Sequence, residues 1–204
     1  MVAVTNLVIC GAVVAVLGAV RGGNAPAAFT PATSTTTDEP PRLEATPPPD
    51  GPSTTEEPGL DTRFTEVTGP GGMTTRIPAG WPTRTLTGPG AMQADDPADT
   101  STWLRYGGSV TPVTDSYDVH ADYERQFAAG KANYQSIRLA RTVVRGNSAI
   151  DWEFEYDADE GRRHVRSVYW LYGGYEYFVY ASSPVPRWPE VRKVLDVMLT
   201  YSTP

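Results

Sequence analysis

The chain is poor in cysteine, lysine and histidine. Cys10 is the only cysteine and lies inside an apolar leader, so no internal disulfide or thiolate metal site can form beyond it. Histidine occurs only at His120 and His164, and neither has a second ligand at a spacing typical of zinc. Lysine occurs only at Lys131 and Lys193, and no basic stripe exists of the kind that nucleic acid requires. Nucleophile and nucleotide motifs are missing as well. The segment GGSVT around Ser109 lacks the second glycine of a nucleophile elbow. In QFAAGK, Arg125 stands where a phosphate loop needs its first glycine. The sequence therefore assigns no catalytic residue, no metal ligand and no cofactor.

What is present divides the chain into three parts. Residues 2–20, VAVTNLVICGAVVAVLGAV, contain no charged side chain. About twenty such residues in a helix span a hydrocarbon core of roughly 30 Å. Segment 1–20 is expected to anchor the protein in a membrane. The alternative is a cleaved signal, for which Ala25 and Ala27 offer an Ala-x-Ala site. Segment 21–60 is rich in Pro and Thr and carries six acids against Arg21 and Arg42. It has almost nothing to fill a core, so burial cannot offset the entropy of ordering it. A disordered linker is expected, and Thr/Pro tracts of this type carry a domain away from a membrane surface. The expected location is the cell membrane, single-pass with residues 61–204 outside, or secreted if the leader is cut. The 204-residue chain has a formal charge of −7, and the linker holds more than half of it.

From about Asp61, aromatic and β-branched runs alternate with turn signals. RFTEVT, MTTRI, TRTLT, AMQAD and TWLRYGGSV predict strands, the last with a bulge at Gly107-Gly108. TDSYDVHADYERQFAAG predicts a helix with Asp115 as N-cap, Gly130 as C-cap and an apolar stripe of Val119, Tyr123 and Phe127. His120 then pairs with Glu124 on the solvent side. SIRLARTVV, SAIDWEFEYD, RRHVRSVYWLY and YEYFVYASS predict four more strands, with a Gly173-Gly174 hairpin turn. RWPEVRKVLDVMLTYS predicts a final helix with Pro189 in its first turn and a stripe of Val191, Val194, Leu195, Met198 and Leu199. The fold class is α+β, a mainly antiparallel sheet with two packed helices.

AIDWEFEYDADEGRRHVRS, residues 149–167, carries the most conspicuous pattern. Setting Phe154 against Val165 places Ile150, Trp152, Phe154 and Tyr156 on the core face. Glu155 then opposes His164, Glu153 opposes Arg166, and Asp151 opposes Val168. The plain reading is a solvated row of cross-strand ion pairs. The functional reading is a candidate ligand face of Asp151, Glu153, Glu155, His164 and Arg166, extended by Trp170 opposite Tyr177. Carboxylates beside flat rings suit a glycan or a ring-bearing polar ligand. The competing reading for the two aromatics is that a helix covers them.

IPAGWPTRT after two short strands, TWLRYGG, a helix, then AIDWEFEYDADEGRRHVRSVYWLYGGYEYFVYASSP and a final W-plus-helix resemble one bacterial family. It is the extracytoplasmic domain that follows a membrane helix and Thr/Pro-rich spacer in actinobacterial serine/threonine protein kinases and related anchored or secreted proteins. That domain is similar to the Mog1/PsbP-like α/β/α sandwich. The resemblance implies a non-catalytic binding or sensing module for an envelope ligand or partner protein. The chain lacks the H-R-D and D-F-G motifs of a kinase domain, so it is expected to be a stand-alone anchored protein or part of a longer receptor-kinase product. The alternatives are an envelope hydrolase using the Asp151, Glu153, Glu155 row, and a purely structural interaction module.

Because 21–58 has so little to bury, a chain starting at Gly59 should keep the thermal midpoint of one starting at Arg21. A loss of several degrees on trimming would mean that the linker packs on the domain.

Overall fold

A computed structural model describes residues 63–88 and 90–204. The expected anchor and linker lie outside the described residues. Among the described residues, no helix is long and apolar enough to cross a membrane.

Five short strands come first: β1 (Phe64–Thr68), β2 (Thr74–Pro78), β3 (Thr83–Thr85), β4 (Met92–Asp95) and β5 (Trp103–Val110). Helix α1 (Tyr117–Ala129) follows. Then come the long strands β6 (Ala132–Val144), β7 (Asn147–Ala158), β8 (Gly161–Tyr172) and β9 (Tyr175–Pro184), and finally helix α2 (Trp188–Tyr201). Seven strands form one antiparallel sheet in the order β3-β4-β5-β9-β8-β7-β6, and β1 pairs with β2 as a separate hairpin. Helix α1 packs on one face, where its rings meet Trp152, Phe154 and Tyr156. Helix α2 and the β1–β2 hairpin share the other face, around Met73, Ile77, Leu104, Val179, Leu195 and Met198. The architecture is the α/β/α sandwich that the sequence predicts, with seven strands in its main sheet.

The β7–β8 register is the expected one, with Phe154 opposite Val165, Glu155 opposite His164 and Glu153 opposite Arg166. Trp170 faces Tyr177 and Val168 faces Val179 across β8–β9. Gly173 and Gly174 both have positive φ, 58° and 80°, as a two-residue hairpin turn requires. Trp152 is 1% exposed. Tyr123 and Phe127 meet its ring edge-on at 6.2 and 5.9 Å, and its Nε1 donates to the Tyr134 hydroxyl at 3.1 Å.

Three details differ from expectation. The buried stripe of α1 is His120, Tyr123 and Phe127, and Val119 points outward at 45% exposure. His120 is buried because its ring packs 4.1 Å from Tyr169 and its Nε2 lies 3.0 Å from Glu176 Oε1. Glu124, the expected partner, instead accepts from Tyr134 and Ser136. At the start of α1, Ser116 holds the cap position, and Asp115 accepts the Tyr117 N–H at 3.0 Å. Finally, β5 carries no bulge, since it stays in register with β9 from Trp103–Ser182 to Val110–Tyr175. Gly107 and Gly108 are required by close approach. A Cβ at Gly108 would stand 2.4 Å from the Tyr177 ring, and one at Gly107 2.1 Å from the Gly90 carbonyl oxygen. The register irregularities fall in β6 instead.

Trp152→Ala should lower stability by about 3–5 kcal/mol, because a large buried ring and its hydrogen bond are lost. Val119→Ala, at an exposed helix position, should change it by less than about 0.5 kcal/mol. Chemical denaturation of both variants checks the pair, and a nearly neutral Trp152→Ala would mean the hairpin register is wrong.

Candidate functional site

The residues singled out by sequence come together, but as an enclosed row. Alternation along β7 and β8 sends Asp151, Glu153, Glu155, His164 and Arg166 to the α2 face. The expectation of a solvated row is not met: Asp151 is 4% exposed and His164 7%. The cause is α2, whose first residue Trp188 stacks on the His164 ring at 4.0 Å and 20°. Arg138 from β6 reaches over the edge to Asp151 at 2.7 Å.

The row is internally neutralised. Arg166 grips Asp151 in two hydrogen bonds, Nε to Oδ1 at 2.9 Å and Nη2 to Oδ2 at 3.0 Å. Arg162 donates to Glu155 at 2.8 Å and to Asp157 at 3.0 Å. His164 lies between two glutamates, with Nε2 2.8 Å from Glu153 and Nδ1 2.9 Å from Glu155. Both contacts are hydrogen bonds when both ring nitrogens carry protons. The His164 hydrogen bond, outweighing burial, holds Glu153 below the usual carboxylate range. At Glu155 burial pulls upward, and the bonds from Arg162 and His164 together overcome it. A general acid needs a carboxyl shifted the other way. Trp170 and Tyr177 stack at 6.0 Å on the same face, 2% and 4% exposed, and the Tyr177 hydroxyl donates to the Gly71 carbonyl. The two rings are covered, as the competing reading has it, but the contact on Tyr177 comes from the β1–β2 turn at Gly71 and not from a helix.

The opposite face holds a feature that the sequence reading missed. Helix α1 lies over β6, β7 and β8 and touches β9 at Glu176, and the β3–β4–β5 end of this face has no helix above it among the described residues. A cleft of about 1040 Å³ opens there, walled by the C-terminal end of α1 and the β7–β8 turn. Its floor follows from strand register. Tyr156 pairs with Arg163, Trp103 with Ser182, and Arg105 with Tyr180 and Gln93, so all lie on the α1 side.

Arg163 sits deepest, 3% exposed. Its guanidinium lies 3.8 Å from the Trp103 ring centroid and donates to the Ser182 hydroxyl at 2.9 Å and the Ser101 carbonyl at 2.6 Å. Those acceptors are neutral, and no carboxylate of a described residue ion-pairs with it. Burial accordingly pushes the Arg163 guanidinium below its ordinary value. Arg105 spends Nε on Gln93 Oε1 at 2.8 Å and spans the rings of Trp103 and Tyr180 at 5.9 and 5.4 Å. Lys131 sits 4.9 Å from the Tyr156 ring centroid. Burial raises the Tyr156 hydroxyl to about 12, so it stays a neutral donor. Trp103 Nε1 is buried without a hydrogen-bond partner among the described residues. The one signal in the sequence was alternation in TWLRYGGSV, which puts Trp103 and Arg105 on one face. It could not tell that no helix covers them.

This sheet, helix placement and connection order define a PsbP-like fold. Cyanobacterial PsbP (CyanoP) from Synechocystis sp. PCC 6803 is similar, with a TM-score of 0.57 at 16% identity over 75% of this chain and 99% of that chain. LpqN of Mycobacterium tuberculosis, a protein involved in cell envelope biogenesis, has a TM-score of 0.50 at 13% identity over 70% of this chain and 92% of that chain. No curated protein matches the sequence. Residues 65–203 match the family described as the serine/threonine kinase C-terminal domain, and the chain belongs to that family.

Glu153 has a lower pKa folded than its ordinary value of 4.5. It therefore binds fewer protons in the folded state, and its stabilisation is present above that value and is lost as pH falls below it. Glu153→Gln should cost about 1–3 kcal/mol at neutral pH. It should also flatten the stability loss below pH about 4.5. Equal acid slopes in denaturation of the two proteins would show that this carboxylate does not titrate with unfolding.

Proposed function

We propose that the protein is a membrane-anchored, extracytoplasmic binding or sensing module without catalytic activity of its own. The observation that carries this reading is the difference between the two sheet faces. On the α2 face Asp151 and His164 are buried, Glu153, Glu155 and Arg166 are partly buried, and each group of the row lies within hydrogen-bond distance of a partner. On the α1 face the sheet is open over a concave floor where Arg105 and Arg163 form no contact ion pair with a carboxylate among the described residues. A matched, covered row supports structure, and an open floor with unmatched donors supports capture of a ligand. Membership of a kinase-associated family supports a role in signalling for such a module, and the apolar leader with its Thr/Pro linker supports display outside the membrane. LpqN, with the same fold, is involved in cell envelope biogenesis, and the envelope is the setting we assign to this chain.

In intact cells the full chain should stay with membranes after a carbonate wash and should be cut by externally added protease. Recovery from the medium with Ala28 as first residue would replace the anchor by secretion. Complete protection from external protease would overturn the extracytoplasmic reading.

A further inference from the structure

Resting on the reading of the chain as a binding module, we infer that the cleft on the α1 face is an oxyanion site, taking a carboxylate or phosphate group attached to a flat ring. Arg163 is 3% exposed. A guanidinium almost fully withdrawn from water is expensive unless an opposite charge compensates it. Here Nε and Nη2 are used on a hydroxyl and a carbonyl, and Nη1 has no hydrogen bond to a described residue. The neighbouring α2-face row shows how this chain treats a half-buried arginine that serves structure: Arg166 receives a two-point carboxylate grip. Arg163 receives none.

The donors left over converge. Arg105 keeps Nη1 and Nη2 free of hydrogen bonds to described residues, and both guanidiniums lie within 6 Å of the same indole ring. Trp103 Nε1 adds a buried N–H without an acceptor. Paired guanidiniums match the planar or tetrahedral geometry of carboxylate and phosphate. The rings of Trp103, Tyr156 and Tyr180 supply flat apolar surface beside them. One acid, Asp95, stands opposite Trp103 on the floor and is engaged by Gln93 and Arg84, and the others lie further out. Asp95 pairs with Arg84 and Asp157 with Arg162, while Asp159 and Glu160 sit exposed on the β7–β8 turn. Arg105 and Arg163 thus keep unpaired guanidinium edges beside an acid that is already engaged, which favours an oxyanion entering end-on with its ring against the indole.

The test titrates the full chain, in non-ionic detergent, with phenyl phosphate, benzoate and benzyl alcohol, which share a ring and differ in charge. The readout is the indole N–H resonance of Trp103, assigned with Trp103→Phe, together with calorimetric affinity. One or both anions should move that resonance saturably, and benzyl alcohol should not. The tighter anion identifies carboxylate or phosphate. Arg105→Gln, at a half-buried position, should weaken binding about tenfold or more with an unchanged thermal midpoint. Arg163→Gln should abolish binding, and if it fails to fold the Arg105 variant decides alone. Equal binding of benzyl alcohol would overturn the oxyanion and leave the binding module standing. Silence of all three probes, or anion binding indifferent to Arg105→Gln, would overturn the site itself, whereas failure of the module reading would show in the protease experiment.

Discussion

The pairing of Phe154 with Val165 sets most of what the domain is. It fixes which side of the sheet receives the rings of β7 and which receives the acids, because side chains alternate strictly along a strand. A slip of one residue would turn Trp152 and Phe154 into the carboxylate row and send Glu153 and Glu155 beneath α1. Neither face could tolerate the exchange. The α1 side offers Tyr123 and Phe127 as edge-on partners and Tyr134 as a tilted one for Trp152 and Phe154, and among the described residues no arginine lies over those two rings. The α2 side offers Arg138, Arg162, Arg166 and His164, all within hydrogen-bond range of acids that the register delivers. The register is thus held from both faces, by packing on one and by charge on the other.

The two helices then treat their faces differently. Helix α2 brings Trp188, Val191, Leu195 and Met198 down with the β1–β2 hairpin beside it, and together they close the face from β5 to β8. Helix α1 works alone. Its His120, Tyr123 and Phe127 reach from β6 to β9 and no further, so the same antiparallel sheet is shut on one side and half open on the other. Closing the second side would require another element over β4 and β5. Where none lies among the described residues, the floor is lined by Arg105 and Arg163 rather than by aliphatic side chains. Polar floor and missing cover are consistent with one another.

Sequence reading recovered what depends on local pattern. The strands, both helices, the β7–β8 and β8–β9 registers and the Gly173-Gly174 turn all follow from period-two alternation and turn chemistry. It failed where the deciding partner is distant in the chain. His120 read as a surface residue because Glu124 is one helical turn away, yet its actual partners Tyr169 and Glu176 come from β8 and β9. Gly107-Gly108 read as a bulge, although what excludes a side chain is Tyr177 and the Gly90 loop. The acidic row read as solvated because alternation names a face without saying what covers it. The cleft escaped for the converse reason: Trp103, Arg105 and Arg163 share a face by register, and only the span of α1 decides that this end stays bare.

The contrast between the two arginine-bearing faces carries the functional argument further than either alone. Arg166 and Arg163 stand three residues apart on β8 and so point to opposite sides of one strand. Both are shielded from water, and both have strand neighbours able to supply an acid at the opposed position. On the α2 side that position carries Glu153, with Asp151 one pair further along. On the α1 side the residue opposite Arg163 is Tyr156, whose hydroxyl stays protonated because burial raises it to about 12. An aspartate or glutamate at that place would complete an ion pair and make the α1 face as self-sufficient as the other. A tyrosine leaves the guanidinium hydrogen-bonded but with no carboxylate in contact among the described residues, and Glu160 and Asp99 act on it only from a distance. Buried charge is expensive when it is left so, and a structure that only needed to be stable would gain by answering it from within. The expense is offset when the answering charge arrives from outside, which is the condition a binding site is built to meet.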